Sequence, residues 1–484
     1  MKLWNLLHGV PLTGEHFTED MEISSLSYDT RTLEPGALFV ALPGAKTDGA
    51  RFIREALEKG AAAVLCEAAP EGEGPLLVTP DARRALAMAS ANWFGHPAQE
   101  LTLVGVTGTN GKTTSAYLLE HLFTATGHKV GVLGTVSYRW PGHCEAAPLT
   151  TPDPLRVHAM LAAMAQAGVD IAVMEVSSHA LEQQRVCGVP FAGASFSNLT
   201  QDHLDFHQDM ESYFRAKSRL FLELPRADKV MAINGDDPWG RRLLELCPRA
   251  LSFGLQKALP QQRHLWGELL SAGTDGCHLR MHLDGQQWEL RSPLVGAFNA
   301  SNLLSVQALA LELGLMPDDL RHLEDFHGVC GRLERVPNAR KLHVFVDYAH
   351  TPDALVNVLK ALRGAGFKRI VTVFGCGGNR DRTKRPIMGE AVARYSDVAV
   401  LTSDNPRFED PEAILKDVLP GLREAREVVV EVDRRKATAK AVEMLGPDDA
   451  LLIAGKGHED YQIIQGTKHH YSDQEVVREL LGCA

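Results

Sequence analysis

Short apolar runs alternate with longer segments of helical periodicity through most of the chain. Between residues 98 and 336, the apolar runs that predict strands are 101–107, 129–135, 171–176, 193–197 and 229–233. Helical segments separate these runs, and such alternation predicts parallel βαβ units. Residues 258–291 instead alternate apolar and polar positions, which predicts a hairpin insertion.

The two ends of the chain show related patterns. In residues 1–97, three short apolar runs lie between Gly- and Pro-rich turns, at 37–42, 61–66 and 76–78. In residues 337–484, new strands are predicted at 343–347, 369–374, 397–402, 427–432 and 450–454. We therefore expect an α/β fold with parallel sheets in about three domains, at residues 1–97, 98–336 and 337–484.

The amino-acid composition argues against some classes of protein. The chain has 484 residues, of which 45% are apolar and 23% charged, as in ordinary globular proteins. Its net charge of −11 argues against a general nucleic-acid binder, although a phosphate pocket needs only a local positive field. The eight cysteines form no Cys-x-x-Cys pair and no zinc spacing, which favours reduced thiols. The first residues lack a secretory signal and no apolar stretch is long enough to cross a membrane, so we expect a cytoplasmic protein.

A phosphate-binding loop follows the first strand of the middle region. The strand at 101–107 leads into Gly108-Thr109-Asn110-Gly111-Lys112-Thr113-Thr114 and a helix predicted at 113–123. In such a loop, backbone N–H groups and the helix N-terminus bind phosphate oxygens, Lys112 adds positive charge and the Thr113 hydroxyl can bind Mg²⁺. The strict Walker pattern needs a glycine at 106, whereas this chain has Gly105. The loop predicts ATP as ligand, and a chance Gly-Lys-Thr is the alternative.

Motifs spread over the whole chain accompany this loop. They are Glu175-Val176-Ser177-Ser178-His179, Asp202-His203-Leu204-Asp205-Phe206-His207, Tyr213-Phe214-Arg215-Ala216-Lys217, Gly331-Arg332 and Asp347-Tyr348-Ala349-His350. With these motifs the sequence resembles the Mur ligases, cytoplasmic enzymes that build the peptidoglycan stem peptide. The resemblance implies a UDP-substrate-binding domain, a central P-loop ATPase domain and a C-terminal Rossmann-like domain that receives an amino acid.

The resemblance also assigns the catalytic groups, which are Lys112, Glu175, His203 and Lys217. It implies two Mg²⁺ ions, held by Thr113, Glu175, His203 and Lys217, with a CO₂-derived carbamate on Lys217 (N6-carboxylysine). A carbamate needs the neutral amine, which burial favours by lowering a lysine pKa. Without the resemblance, Glu175 would be a charge or cap at a strand end, His203 a loop residue and Lys217 a solvated lysine on a helix at 210–222.

Contacts to the nucleotide and to the UDP-muramoyl dipeptide are likewise implied by the family. For ATP they add Asn299, Asn302, Arg332 and Asp347, and helix capping is the alternative for the two asparagines. For the dipeptide they are Tyr28, Thr30, Ala45, Lys46, Thr47, Thr150, Thr151, Ser177, Gln183 and Arg185. Arg185 suits a carboxylate, because its guanidinium can donate two parallel hydrogen bonds. Relatives often have His-Gln-Ala at 45–47, so contacts there are expected through the backbone. In the alternative interpretation, the turns that carry residues 28–30 and 45–47 are ordinary loops.

Polar turns after the C-terminal strands predict the amino-acid site, because ligands of open parallel sheets bind at that edge. The expected residues are Arg380, Asp404, Asn405, Pro406, Arg407, Gly455 and Glu459. A proline-fixed turn can present Arg407 to a second carboxylate, which meso-diaminopimelate has and lysine lacks. Glu459 would accept the distal ammonium.

The expected reaction activates the D-glutamyl carboxylate of UDP-N-acetylmuramoyl-L-alanyl-D-glutamate as an acyl phosphate and couples it to meso-diaminopimelate, in peptidoglycan precursor synthesis. His350 is a candidate for the base that deprotonates the amine. The alternatives are a lysine-adding Mur ligase, a folylpolyglutamate-synthase-like ligase, which needs no UDP domain, and a nucleotide switch that ligates nothing. We expect a monomer without nucleic-acid partners.

Overall fold

The computed structural model describes residues 1–13, 20–44, 48–68, 74–257 and 263–482. The chain divides into two compact units. The first comprises Met1–Phe253, Leu259–His264 and Ser305–Asp319, and the second comprises Gly254–Ala258, Leu265–Leu304 and Leu320–Ala484. The three domains expected from the sequence, at residues 1–97, 98–336 and 337–484, remain a prediction.

A small parallel sheet forms the N-terminal part of the first unit. Its elements are α1 (Leu3–Leu6), β1 (Leu26–Ser27), β2 (Leu38–Val40), α2 (Ile53–Glu58), β3 (Ala63–Cys66), β4 (Leu76–Val78) and α3 (Ala82–Trp93), with 3-10 helices at Gly49–Phe52 and Pro97–Gln99. The strands pair in the order β1-β2-β3-β4, each parallel to its neighbour. Strand residues such as Leu38 and Leu65 pack with Leu86 of α3 in one core, which confirms the small α/β fold predicted here.

A larger sheet with intervening helices follows in the first unit. Its elements are β5 (Thr102–Thr107), α4 (Lys112–Ala125), β6 (Val130–Leu133), β7 (Ser137–Trp140), β8 (His143–Ala146), α5 (Pro154–Gln166), β9 (Ile171–Glu175), α6 (Ser178–Glu182), β10 (Phe191–Phe196), α7 (Leu204–His207), α8 (Met210–Leu222), β11 (Pro225–Asn234), α9 (Pro238–Leu246) and β12 (Leu251–Gly254). The strands lie in the order β12-β11-β10-β5-β9-β6-β7-β8. All pairs from β12 to β6 are parallel, which confirms the predicted βαβ units.

The hairpin of β7 and β8 is a feature that the apolar pattern does not predict. β7 pairs antiparallel with both β6 and β8. β8 is largely exposed and carries the residues His143-Cys144-Glu145-Ala146. No buried apolar run marks it, so the sequence signal on which strand prediction rests is missing.

The rest of the chain contains an antiparallel meander and a third sheet. The elements are β13 (His264–Gly273), β14 (Gly276–Leu283), β15 (Gln286–Ser292), α10 (Ala297–Glu312), a 3-10 helix at Asp319–Asp325, β16 (Glu334–Arg335), β17 (His343–Asp347), α11 (Pro352–Gly364), β18 (Ile370–Phe374), α12 (Lys384–Tyr395), β19 (Val398–Leu401), α13 (Pro411–Val418), a 3-10 helix at Leu419–Leu422, β20 (Val428–Val430), α14 (Arg434–Glu443), β21 (Ala450–Ala454), β22 (Tyr461–Ile464), β23 (Thr467–His470) and α15 (Asp473–Leu481). The meander confirms the predicted insertion.

The third sheet has its strands in the order β16-β17-β21-β18-β19-β20. All its pairs are parallel except that of β16 with β17. Buried apolar residues cover both faces, with Phe345 and Leu452 in one core and Val344 and Ile453 in the other. Helices therefore cover both faces of the sheet, and its polar turns gather at the strand ends, as the sequence predicts.

No helix in the described ranges is both long and apolar enough to cross a membrane.

Candidate active site

The phosphate-binding loop joins β5 to α4 through two glycines with positive φ. Gly108 has φ of 150° and Gly111 has φ of 90°, conformations that favour glycine. A Cβ at Gly108 would lie 2.0 Å from Ser197 Oγ, so a larger residue would have to displace the Ser197 side chain or the loop. Gly105 lies within β5, where a Cβ would meet the Phe191 ring at 2.9 Å. Gly105, which lies one position before the place of the glycine in the Walker pattern, is therefore needed for the packing of β5 against Phe191.

The turn after β10 fastens this loop. Asn198 Oδ1 accepts a hydrogen bond from Asn110 N at 3.0 Å, and its carbonyl accepts one from Thr109 N at 2.9 Å. Thr109 Oγ1 accepts one from Thr200 N at 3.0 Å. Asn198 is a residue of the candidate site that the sequence reasoning misses. Its position at the end of a strand that pairs with β5 is the signal that points to it.

Two lysines converge on the carbonyl oxygen of Gly108. Lys112 Nζ donates to it at 2.9 Å and also to Thr109 O, while Lys217 Nζ donates to it at 2.8 Å. Lys217 lies on α8 and is 1% exposed. Burial lowers its pKa well below the ordinary value, Lys112 lowers it further, and Asp202 opposes both. The lysine on this helix is therefore buried at the loop and not solvated.

Glu175 lies at the end of β9 and faces the first turn of α4. Its Oε2 accepts hydrogen bonds from Thr113 Oγ1 at 3.0 Å and Thr135 Oγ1 at 2.9 Å, and its Oε1 accepts one from Thr135 N at 2.9 Å. Glu175 is 1% exposed, so it is not a surface charge, and the backbone N–H that donates to its carboxylate, that of Thr135, lies outside the helices, so it is not a helix cap. A carboxylate beside a hydroxyl offers the hard oxygen donors that Mg²⁺ prefers, so this pair fits a magnesium ion.

His203 precedes α7 and has a left-handed backbone with φ of 54°. Its Nε2 lies 3.4 Å from Asp202 Oδ2, and its ring contacts that of His179 with centroids 4.8 Å apart. Within the described residues, no group of three or more His, Cys, Asp or Glu side chains is arranged to hold a metal. The structure thus joins Thr113 to Glu175 and Lys217 to the loop, and places His203 among aromatic rings.

The residues expected to hold the muramoyl peptide surround the turn after β8. Thr151 is fully buried and its hydroxyl accepts a hydrogen bond from Ser177 N at 3.0 Å. Arg185 Nη1 donates to Thr151 O at 2.8 Å, and its Nη2 donates to Gln183 Oε1 at 2.8 Å. Thr150 Oγ1 lies 3.2 Å from Thr135 Oγ1. Four of these residues form one network, in which the Thr151 hydroxyl donates to Glu175 O at 2.7 Å, and Thr150 reaches the Glu175 carboxylate separately through Thr135.

Of the residues expected at the UDP group, two can be described. Tyr28 is 37% exposed, and burial together with Asp153 raises its pKa to about 12. Thr30 is buried and its carbonyl accepts a hydrogen bond from Lys59 Nζ at 2.8 Å. The predictions at Ala45, Lys46 and Thr47 lie outside the described residues.

The remaining residues expected at the nucleotide lie in α10 and near β17. Asn299 and Asn302 are buried, and Asn302 Nδ2 donates to Asn299 Oδ1 at 3.1 Å. Asn299 Nδ2 donates to Val295 O at 2.8 Å, a bond that fixes the start of the helix. Asp347 ends β17 and accepts hydrogen bonds from two backbone N–H groups, and burial raises the pKa of its carboxyl. The Arg332 guanidinium lies 4.9 Å from the Tyr348 ring centroid.

The turn expected to bind the amino acid follows β19. Asp404, Asn405 and Pro406 are buried, and Arg407 has a left-handed backbone with φ of 56°. Arg407 Nη1 donates to Gly378 O at 2.7 Å. The side chains of Arg407 and Arg380 both lie against Gly377, where a Cβ would be 3.5 Å from Arg407 Nη1 and 3.7 Å from Arg380 Cγ. The two arginines are therefore neighbours.

Glu459 and Gly455, from the turn after β21, complete this cluster. Asn405 Nδ2 donates to Glu459 Oε2 at 2.9 Å. A Cβ at Gly455 would lie 3.1 Å from Asp404 Oδ2. Between them in sequence is Lys456, which is fully buried and lies 3.4 Å from Asp404 Oδ1. The sequence reasoning misses Lys456, since a lysine between two glycines carries no pattern that distinguishes a buried cation from a solvated one.

A close backbone contact joins this turn to the segment with Arg332. A Cβ at Gly331 would lie 2.1 Å from His458 N, and a Cβ at Gly457 would lie 2.6 Å from Tyr348 Cβ. Burial and the Arg332 cation lower the pKa of His458 to about 4, so its ring is neutral near pH 7.

Comparisons with known proteins agree with these motifs. Three family models match the chain: "Mur ligase family, catalytic domain" at residues 22–97, "Mur ligase middle domain" at 106–310 and "Mur ligase, glutamate ligase domain" at 331–457. A protein of Lawsonia intracellularis, named UDP-N-acetylmuramoyl-L-alanyl-D-glutamate–2,6-diaminopimelate ligase, is 53% identical over 94% of this chain and 95% of its own length.

Among the solved structures that resemble the fold, two are informative. A structure with the same ligase name has a TM-score of 0.71 and 32% identity, and the match covers 99% of this chain and 98% of that one. A folylpolyglutamate synthase of Mycobacterium tuberculosis has a TM-score of 0.59 at 20% identity, over 82% of this chain and 95% of its own, which shows a shared fold alone. Since its loop, its motifs and matches along nearly its whole length agree, the chain belongs to the Mur ligase family.

Proposed function

We propose that this chain is an ATP-dependent ligase that joins meso-diaminopimelate to the D-glutamyl γ-carboxylate of UDP-N-acetylmuramoyl-L-alanyl-D-glutamate. The observation that carries the proposal is the cluster of Arg380, Arg407, Asn405 and Glu459, in a chain whose relatives are named for this reaction. Two cations, an amide and a carboxylate complement an amino acid that has both a second carboxylate and a second ammonium. Since ATP and UDP-linked precursors are cytoplasmic compounds, the proposed place of action is the cytoplasm.

The first chemical step activates the acid. The N–H groups of the phosphate-binding loop and the α4 N-terminus bind the phosphates of ATP, and Lys112 adds positive charge. A γ-carboxylate oxygen then attacks the γ-phosphorus in line, the bond to the ADP oxygen breaks and an acyl phosphate forms. Thr113, Glu175, His203 and Lys217 are the residues that would hold Mg²⁺, with two ions expected, which when bound neutralises charge on the phosphate oxygens.

The second step forms the amide. The amine at the L-centre of diaminopimelate attacks the acyl carbon, and the tetrahedral intermediate expels inorganic phosphate. His350 is the proposed base for the proton that the amine loses. Its Nδ1 lies 2.7 Å from Tyr348 O, a bond in which Nδ1 must donate. Nε2 is then the basic nitrogen of the exposed ring and is available for the proton.

Lys217 is proposed to carry the carbamate. The neutral amine adds to CO₂ and releases a proton, which leaves a carbamate anion in place of the amine. The depressed pKa of Lys217 favours the neutral amine, and its place beside Lys112 favours the anion once it has formed. A buried unmodified ammonium next to a second cation would be disfavoured for the same reasons.

The preference for diaminopimelate over lysine is proposed to come from Arg407 and Arg380. A site built around charged hydrogen bonds discriminates strongly against a ligand that lacks one partner, because charged groups of the site then lose their hydrogen bonds. Lysine has no distal carboxylate for the two arginines.

The test is an assay of the purified protein with Mg²⁺, ATP and the UDP-muramoyl dipeptide, in which phosphate release and amide formation are measured together. Diaminopimelate should give equal amounts of phosphate and of the tripeptide product, and lysine should give far less of both. Better turnover with lysine would favour the lysine-adding alternative. Phosphate release that is independent of the dipeptide and of any amino acid would contradict ligation and favour a nucleotide switch.

A further inference from the structure

Lys456 is a buried cation that no step of the proposed mechanism uses. It is fully buried, in the second unit, between Gly455 and Gly457. Its Nζ donates to Tyr461 O at 2.6 Å and to Asn405 Oδ1 at 3.2 Å. The same atom lies 3.4 Å from Asp404 Oδ1 and 3.7 Å from Glu459 Oε2. Two of the three hydrogen atoms of the ammonium are thus donated in hydrogen bonds, and the two carboxylates lie within ion-pair distance of it.

These contacts determine which way the Asn405 amide points. Its Oδ1 accepts from Lys456 Nζ and, at 2.9 Å, from Ile463 N. Its Nδ2 donates to Glu459 Oε2 at 2.9 Å. The reversed amide would set its N–H groups against two donors and its oxygen against a carboxylate, so the network permits one orientation. Asn405 is therefore held as a donor on the side of Glu459.

Lys456 also separates the charges of the site. Asp404 and Glu459 are both largely buried, and without a cation between them two carboxylates would repel each other and any anionic ligand. Lys456 lies closer to Asp404, at 3.4 Å, than to Glu459, at 3.7 Å, so the charge of Glu459 is the less neutralised of the two and remains to meet a ligand ammonium. Arg407 and Arg380, which lie together against Gly377, form the end that meets a carboxylate.

We propose that Lys456 is a specificity-determining positioning residue: by fixing the Asn405 amide and pairing Asp404, it sets one end of the site for an ammonium and the other for a carboxylate. This inference rests on the proposed function, because it concerns the choice of a diamino dicarboxylic acid over a diamino monocarboxylic one. Lys456 acts through Asn405 and Asp404 and need not touch the ligand.

The experiment compares wild type, Lys456→Met, Asn405→Ala and the double variant in the full chain, with KM and kcat measured for diaminopimelate, lysine and ATP. Lys456→Met should raise the KM for diaminopimelate by about tenfold or more, the factor for one lost charge-assisted contact, and reduce the preference over lysine by a similar factor. The KM for ATP should stay unchanged. In the Asn405→Ala background, Lys456→Met should raise the KM for diaminopimelate by less than about twofold, because the two residues act as one unit.

The matched control is Lys368→Met, which removes an exposed lysine paired with Asp448 in the same unit and should change none of these constants. Full additivity of the two substitutions, or an equal rise in the KM for ATP, would overturn the role of Lys456. If Lys456→Met fails to fold, Lys456→Gln keeps a donor without the charge and should lose selectivity to a smaller extent. If neither variant folds, Asn405→Ala decides, since retained selectivity there would overturn the proposal.

The outcome for wild type distinguishes the two proposals. If wild type forms no amide with diaminopimelate, the proposed function fails and the role of Lys456 fails with it. If wild type is active and selective but Lys456→Met keeps both its KM and its selectivity, the role of Lys456 alone is overturned.

Discussion

At the scale of single residues, Arg407 has a backbone conformation that non-glycine residues rarely adopt. Its φ is 56°, and the hydrogen bond from its N–H to Ile463 O at 3.0 Å holds it there. Such backbone strain costs on the order of 1–3 kcal/mol and persists where the surroundings enforce it, commonly at binding sites. The conformation directs the side chain along Gly377 to Gly378 O, beside Arg380.

Arg407→Ala should raise the KM for diaminopimelate by roughly 10- to 150-fold, which corresponds to the loss of about 1.5–3 kcal/mol for a charge-assisted hydrogen bond. The KM for ATP should stay nearly constant. Arg382→Ala is the matched control, because Arg382 is an exposed arginine of the same region that pairs with Asp417. Similar changes in both Michaelis constants would contradict the assignment.

Lys217→Ala should reduce kcat steeply, and short carboxylic acids such as acetate should restore part of the rate. The physical reason is that a free carboxylate can enter the space of a lost carbamate and supply its negative charge. Rates are to be measured with and without added acid. Arg215→Ala, which removes an exposed cation of the same helix, is the surface control and should leave the rate unchanged. An unchanged rate in Lys217→Ala would refute the role.

His158 should make the protein sensitive to acid. It is 1% exposed, burial lowers its pKa to about 4, and within the described chain neither ring nitrogen has a hydrogen-bond partner. Because the folded pKa lies below the unfolded value of about 6.5, this contribution to stability is complete above pH 6.5 and is lost as the pH falls towards 4. His158→Leu should reduce the loss of unfolding free energy between pH 7.5 and 5 by about 2 kcal/mol.

Urea unfolding at the two pH values measures this difference. The control is His470, whose pKa the neighbouring Glu475 raises, so His470→Ala should not reduce the loss on acidification. The same acid sensitivity in His158→Leu and wild type would show that another group is responsible.

Much of the candidate site could be predicted at this scale, because its polar residues directly follow buried strands. Glu175, Asp347 and the turn at Asp404 are of this kind. Asn198 and Lys456 also lie just after buried strands, but their partners could not be predicted, since these depend on which strand ends are neighbours in space. Sequence spacing gives the order of strands along the chain and not their order in the sheet.

At the scale of elements, buried apolar runs explain why the strands were predictable. β17 and β21 have the bounds that the pattern predicts, and every residue of β21 is buried. β7 and β8 escape prediction because a partly exposed antiparallel hairpin has no such run. Helix α8 likewise has the predicted bounds, since its apolar positions recur on one face while its N-cap Asp209 accepts from Ser212 N.

A buried ion pair connects α14 and α15 to the end of β21. Arg434 donates to both carboxylate oxygens of Asp473, at 2.9 and 2.8 Å, and to Ala454 O at 2.9 Å. Both side chains are fully buried. Ala454 directly precedes Gly455, so this pair fixes the strand end from which the amino-acid turn begins.

Arg434→Met should destabilise the protein by about 3–5 kcal/mol, because Asp473 is left as a buried charge without a partner. The double variant Arg434→Met with Asp473→Leu should recover most of that loss, since no charge remains. Urea unfolding gives both values, and Arg435→Met, which removes the exposed partner of Glu479, is the control. A double variant no more stable than Arg434→Met would contradict this explanation.

At the scale of the whole molecule, binding at the loop should stabilise the fold. Mg·ATP at about 100 times its Kd adds about 2.7 kcal/mol to a state that binds it, so the midpoint of thermal unfolding should rise with nucleotide concentration. Lys112→Met should remove most of this shift without changing the midpoint in the absence of nucleotide by a comparable amount. An equal shift in wild type and variant would show that the stabilisation does not come from the loop.

The α/β class, the parallel sheets and the antiparallel insertion follow from the sequence, whereas the division into compact units does not. The first unit contains both the small N-terminal sheet and the larger sheet that carries Glu175. Packing such as that of α3 with α5 is a property of surfaces in space, and the pattern of apolar residues along one segment does not specify its partner. The secondary structure of a segment is thus predictable from its sequence, and the packing of one segment against another is not.

The contact of Gly331 with the 457–458 backbone has a consequence for resistance to inhibitors. Neither Gly331 nor Gly457 has room for even a methyl group, so no substitution can be made at these glycines without displacing the segments that bear Arg332 and Glu459. Few mutations could prevent the binding of a compound that contacts the main chain of Gly331 and residues 457–458. The residues that it contacts are constrained by backbone geometry and not by side-chain chemistry.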